Sequence, residues 1–256
     1  MGNRLVSFII SGVNYNRSLG VRQECLPPFF AEKYVVTPSK TCYFKDTMAM
    51  TIEWLGGPSV VIKGPGDRCF LNPPAQDLGK KKLTDKGGVS LVGYPLPEYS
   101  GTYQDPHLIA TPGEYDIGGF FVMAVRSELA TSPSPNLFII RYERRSIAYI
   151  NSYPQEKVSD KDLDTLGSVD ILILPLDDGG GGMATMDVAK AVSITNQIDP
   201  RVVIPIESAG TKKAAASFAS EMGAEGTASD SFTIKQNEVF DEEETTVVLL
   251  RPVTDR

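Results

Sequence analysis

From residue 50 onward the chain is written in short apolar or alternating runs: Thr51–Leu55, Ser59–Lys63, Arg68–Asn72, Val89–Tyr94, Phe120–Val125, Asn136–Tyr142 and Ser146–Ile150. Runs of this length, rich in β-branched and aromatic residues and separated by Gly and Pro, predict consecutive strands. Gly64-Pro65-Gly66-Asp67 predicts a tight turn, and so a hairpin, between two of them. The second half reads differently. Val169–Pro175 (VDILILP) is almost wholly apolar, as a strand covered on both faces should be. Val188, Ala191, Val192, Thr195 and Ile198 then follow helical spacing, with Asp187 near the start to suit the dipole and Asp199-Pro200 to stop it. Arg201–Ile206 (RVVIPI) is a second buried strand, and Ala215, Phe218, Ala219 and Met222 a second helix ended by Gly223. Ser231–Lys235 and Thr245–Leu250 close the chain as a terminal β pair. A meander followed by strand–helix–strand–helix predicts stacked sheets with helices on the outer faces.

Residues 1–47 lack sustained periodicity. Asn14, Asn16, Ser18 and Pro27-Pro28 interrupt them, whereas Met48 and Met50 stand directly before the first clean strand. The expected organisation is therefore an extension over 1–47 and one domain over 48–256. The extension reads as a loosely attached arm or a start set upstream of the true one, with a partner-binding arm as the sharper alternative. Arg4, Arg17, Arg22, Lys33, Lys40 and Lys45 outnumber Glu24, Glu32 and Asp46, so the arm is basic within a chain of net charge −7.

Composition narrows the function classes. A chain of 256 residues buries a sizeable core, and its 41% hydrophobic and 22% charged residues are those of an ordinary soluble domain. No apolar run approaches the ~20 residues of a membrane helix. The acidic balance makes nucleic acid a poor partner. Cys25, Cys42 and Cys69 form no C-x-x-C pair, which points to a reduced, cytoplasmic protein and leaves a Cys25–Cys42 disulfide open. Leu5–Val13 is apolar but lacks a cleavage pattern, so no secretory signal is expected.

Four strings carry more than periodicity: TIEWLGGPSVVIKG at 51–64, TPGEYDIGGFFV at 111–122, VDILILPLDDGGGGMATMDVAKAV at 169–192 and DPRVVIPIES at 199–208. In this order they resemble the bacterial and archaeal branch of the metallo-β-lactamase-fold hydrolases, Zn-dependent hydrolases of unknown substrate. That branch has a W-L-G-H motif after its first strand, a G-P-G-E-Y-E-[IV]-x-G strand, a V-P-V-G-G-G loop opening a T-x-D helix, and a P-K-x-V-I-P-M-H strand end. The resemblance covers about 50–250 and implies an α/β fold, the αββα four-layer sandwich of that family.

The resemblance also says where metal ligands belong. In the family, zinc is held mainly by imidazole and activates water as the nucleophile. Its H-x-H-x-D-H motif aligns without a gap on GGVSLVGYPLPEYS, residues 87–100, where Tyr94, Leu96 and Tyr99 fill the histidine places and Glu98 the aspartate place. The W-L-G-H histidine reads Gly57, the bridging aspartate falls near Ser152, and the P-M-H histidine falls on Glu207. Leucine cannot ligate, and neutral tyrosine, with a reference pKa near ~10, ligates poorly. The chain holds one histidine, His107, which lies where the family uses no ligand. A degenerate member is implied, with no zinc expected.

Other chemistry is thin. Gly179–Gly182 lacks the lysine of a phosphate-binding loop and follows Asp177 and Asp178, so it reads as a strand-to-helix connection. Serine or cysteine catalysis would need His107 as its base, and no G-x-S-x-G elbow exists. Glu98, Glu207, Asp177 and Asp178 are oxygen-ligand candidates for Mg²⁺ or Ca²⁺, against the reading that they decorate a solvated rim. Tyr94, Tyr99, Tyr103, Tyr115 and Tyr153 are expected to fill the cavity or to line a binding surface. The expectation is a non-catalytic family member acting as a binding or assembly module, as a homo-oligomer or with a protein partner. The alternative is a hydrolase of the superfamily using a carboxylate-bound cation or an unrecognised mechanism.

Overall fold

The computed structural model describes residues 49–73, 88–93, 107–128, 130, 134–153, 155–177, 186–207, 213–235, 238–240 and 244–253. All of them fall in one compact unit, 46–256. The first sheet holds β1 (Ala49–Gly56), β2 (Ser59–Lys63), β3 (Arg68–Leu71), β4 (Gly88–Leu91), β5 (Leu108–Ile109) and β12 (Phe232–Lys235), in the order β12-β1-β2-β3-β4-β5. The second holds β6 (Gly113–Ile117), β7 (Phe120–Val125), β8 (Leu137–Tyr142), β9 (Arg145–Ile150), β10 (Ile171–Leu176), β11 (Val202–Glu207) and β13 (Thr246–Val247), in the order β13-β11-β10-β9-β8-β7-β6. Three described helices, α1 (Asp160–Leu166), α2 (Val188–Ile198) and α3 (Ala214–Glu221), belong to the second half of the chain. The result is the α/β sandwich that the resemblance implied.

Alternation assigns the two faces of each sheet. Ile52 and Trp54 of β1, Val60 and Ile62 of β2, and Cys69 and Leu71 of β3 point into the central layer, where they meet Phe120, Val122, Phe138, Ile147 and Tyr149 from the second sheet. The opposite face of the second sheet packs Leu172, Leu174 and Val203 against Leu166, Ala191, Ile194 and Phe218 of the helices. That double coverage explains why β10 is buried at all six positions. Full burial of each Ile or Phe contributes about 1.5–3 kcal/mol.

The Asp187 side chain, at the helix start where it suits the dipole, also caps α2 by accepting from the Lys190 N–H at 2.8 Å. Two features depart from expectation. The last two predicted strands do not pair: Phe232–Lys235 joins β1 antiparallel, while Thr246–Val247 joins β11 parallel in the other sheet. A single bridge between Ser229 and Leu250 is what links their surroundings. Helix α1 went unforeseen because Leu163 and Leu166 are its only apolar residues; Ser159 caps it, accepting from Asp162 N.

Candidate functional site

Strand directions bring one end of the sandwich together. β9, β10 and β11 are parallel, so Ile150, Leu176 and Glu207 finish on the same side. In the facing sheet β3 and β4 are parallel and end beside the β1–β2 turn, Gly57-Pro58. Asn151, just after β9, accepts from Asn72 and donates to Gly93, just after β3 and β4, so the two sets of ends meet. Crevices outside the carboxyl ends of strands are where open α/β sheets bind ligands.

Of the residues singled out in the sequence, Gly57, Ser152, Asp177 and Glu207 lie at this end. Gly57 has φ +54°, a left-handed conformation that glycine adopts without penalty, and its carbonyl accepts from the Trp54 indole at 2.7 Å. A histidine there would be strained even though space is open around the position. The Ser152 carbonyl accepts from Asn136 Nδ2 at 2.8 Å. Glu207 ends β11 in register with Leu176, which places it on the strand next to Asp177. Asp177 is buried, and its N–H donates to the Met186 carbonyl. Tyr94, Leu96, Glu98, Tyr99, Tyr103 and Asp178 lie outside the described residues.

The centre of this end is held by residues that motif reasoning passed over. Asn72 Nδ2 donates to Tyr149 Oη at 2.9 Å and to Asn151 Oδ1 at 2.6 Å, while Asn72 Oδ1 accepts from the Gly93 N–H at 2.7 Å. Asn151 Nδ2 donates to the Gly93 carbonyl at 2.9 Å, and the Tyr149 hydroxyl donates to the Pro58 carbonyl at 2.8 Å. Ser59 Oγ completes the set on the Asn72 carbonyl. Both amide orientations follow from these partners, since the Gly93 N–H requires an oxygen and its carbonyl a donor. Strand alternation would aim residue 72 away from the second sheet, because Leu71 already points inward. A φ of +44° at Asn72 turns the chain, in a region that asparagine tolerates better than most residues.

Every side chain in this network is neutral. Burial pushes the Tyr149 phenol far above its ordinary value, and the hydrogen bond from Asn72 offsets only part of that. The aromatics expected at the mouth behave differently. Tyr115, on β6, bonds to Thr111 just before its own strand. Tyr153 turns to the helical side and donates to Asp162 Oδ2 at 2.6 Å, an oxygen that also accepts from Ser127 Oγ. Among the described tyrosines, Tyr149 reaches the mouth, through its bond to the Pro58 carbonyl.

A dinuclear zinc centre needs imidazole and carboxylate donors converging on one point. The donors on these strand ends do not fit it. His107 precedes β5 in a register that sets Leu108 beside Ser90, four residues short of the level of Thr111. At the rise of a strand that is about 13 Å from the level of Gly93. Among the described residues no group of three or more His, Cys, Asp or Glu side chains could hold a metal. Cys69 is fully buried in β3, and desolvation raises its thiol pKa, so it is inert. A depression lined by Ala216, Ser220, Gly223 and Leu249 lies along α3 and includes none of the site residues singled out in the sequence.

Comparison with known proteins agrees with the fold. A model of the beta-lactamase superfamily domain matches residues 51–207, more than half of the chain. A candidate Zn-dependent hydrolase of the metallo-β-lactamase superfamily from Thermotoga maritima superposes with a TM-score of 0.56 at 16% identity, covering 78% of this chain and 98% of that one. The metallo-β-lactamase fold protein YhfI from Bacillus subtilis gives 0.51 at 11% identity over 73% and 99%. A candidate metal-dependent hydrolase from Parabacteroides distasonis gives 0.50 at 12% over 79% and 94%. At such identities the likeness is one of fold. No curated protein matches the sequence.

Proposed function

Since the chain belongs to the beta-lactamase superfamily, we propose that it is a non-catalytic member of that hydrolase superfamily, a binding or assembly module that works without zinc. The observation that carries this reading is the position of the sole imidazole. His107 directly precedes β5 instead of standing at the strand ends, and a superfamily centre requires several imidazoles at once. Beside Asp177 and Glu207, the described strand ends present a left-handed glycine, a serine and neutral amides. In this reading the module assembles with itself or with a protein partner in the cytoplasm. No described helix is long and apolar enough to cross a membrane.

Elemental analysis of the purified chain, with phosphodiesterase and esterase assays run before and after chelation, tests the proposal. Metal-poor protein without turnover is the expected result. Stoichiometric zinc with chelator-sensitive turnover would sink it. One observation favours a second reading: the register of β10 and β11 sets Asp177 and Glu207 on neighbouring strand ends, and oxygen donors suit Mg²⁺ or Ca²⁺. In that reading the chain is a hydrolase using a carboxylate-bound cation, and millimolar Mg²⁺ or Ca²⁺ would raise its melting temperature. An unchanged melting curve would discard it.

A further inference from the structure

We infer that Asn72, Tyr149 and Asn151 form a metal-independent clamp, a closed set of hydrogen bonds that ties the two sheets together at the end where the superfamily places its metals. The inference rests on the zinc-free reading above in one respect, since it takes the tie to be complete without a cation.

Four separate stretches of chain converge in this clamp: the β1–β2 turn through Pro58 and Ser59, the end of β3 through Asn72, the end of β4 through Gly93, and β9 with its exit through Tyr149 and Asn151. Three of these belong to the first sheet and one to the second, so the bonds cross the interface between the sheets. The apolar layer below holds the sheets together without directional preference. Register and spacing at the open end therefore depend on groups that must meet at fixed angles.

Two residues of the clamp, Asn72 and Tyr149, are also saturated. Both Asn72 amide hydrogens are donated, its Oδ1 and backbone carbonyl both accept, and its N–H donates to the Leu91 carbonyl. The Tyr149 hydroxyl both accepts and donates. Asn72 is 2% exposed and Tyr149 fully buried, so water competes for neither. A cation entering here would meet amide hydrogens, and its arrival would break bonds already formed. The left-handed backbone at Asn72 fits the same account: a less populated conformation is retained where it delivers the side chain to several partners at once.

The test uses the full chain and thermal melting. Wild type is measured as purified, with excess chelator and with excess Zn²⁺, beside Tyr149→Phe, Asn151→Ala, Asn72→Ala and the double variant Asn72→Ala/Tyr149→Phe. Chelator and Zn²⁺ should each move the wild-type midpoint by no more than about 1 °C. Tyr149→Phe, which keeps the ring against Phe138, should lower it by about 3–6 °C. The double variant should fall short of the sum of its singles, because the removed groups share a bond. Should Asn72→Ala fail to fold, Tyr149→Phe and Asn151→Ala still decide. Variants that melt with wild type overturn the clamp and leave the zinc-free reading standing. A wild-type midpoint raised by Zn²⁺ and lowered by chelator overturns the zinc-free reading instead, whatever the variants do.

Discussion

Each end of the sandwich is closed by a tyrosine from the second sheet reaching the first, by opposite means. At the mouth, Tyr149 bonds to the Pro58 carbonyl and to the buried amide of Asn72, which in turn bonds the half-buried Asn151. At the floor, Tyr142 lies directly on Gly64, where the β2–β3 turn comes closest, and its ring stacks on Phe120 at 4.4 Å. The floor is held by shape and remains near charge: Asp67 approaches Gly119 there. The mouth is held by hydrogen-bond direction and contains no charge among the clamp side chains. A closure of the first kind tolerates ionisable neighbours and fails on added volume. One of the second kind tolerates little volume change either, but fails above all on introduced charge.

Substitutions that exchange these sensitivities probe the contrast. The largest effect should come from Asn72→Asp, which replaces a saturated donor by a buried carboxylate facing Asn151 Oδ1, with no cationic group among its described partners. At pH 8 the loss should be about 4 kcal/mol by denaturant unfolding. The folded-state pKa of that aspartate would lie above its unfolded value of ~3.9. The variant should therefore approach wild type below that pH and lose ground as pH rises toward the folded value. Asn72→Ala should cost about 3 kcal/mol with little pH dependence, from unmet buried partners and a left-handed alanine. Gly64→Ala should cost about 2 kcal/mol, because a methyl there overlaps the Tyr142 hydroxyl while Phe120 restricts the retreat of the ring. Equal costs for Gly64→Ala and a surface Gly→Ala would remove the shape argument.

The smallest effect separates the tyrosines by titration. Burial, with Asp67 and Glu143 nearby, pushes the Tyr142 pKa up from 10 to about 12. A raised folded-state value means that its contribution is complete below pH ~10 and is lost as pH climbs through about 12. Tyr142→Phe should match wild type near neutrality to within about 1 kcal/mol and resist alkaline unfolding in that window better. The phenol of Tyr149 should stay protonated until the chain unfolds. An unchanged alkaline midpoint in Tyr142→Phe would show that Tyr142 does not carry this part of the pH dependence.

Much of the floor was legible in the sequence and little of the mouth was. Gly64-Pro65-Gly66-Asp67 announces a turn by residue type alone, and VDILILP announces a strand covered on both faces because all its side chains but Asp170 are apolar. Tyr149 and Phe138 look alike in an alternating strand, yet one carries a hydroxyl to the opposite sheet. Asn72 is an Asn-Pro after an apolar run, a turn signal that says nothing of a side chain redirected by a positive φ. The parting of the last two strands was hidden because strand propensity records that a segment is extended, not which sheet it joins. Motif comparison located the expected ligand positions, and only the packed chain brought Asn72, Asn151 and Gly93 to one place.

The central claim is that the strand ends of this superfamily member are closed by hydrogen bonds and do not assemble a zinc centre. Anomalous diffraction at the zinc edge, from crystals of the full chain grown in Zn²⁺, tests it most directly. The account predicts no anomalous peak between Gly57, Asn72, Asn151 and Glu207, with the amide contacts intact. A fully occupied dinuclear peak at that position, with Asn72 and Asn151 swung apart, would contradict it.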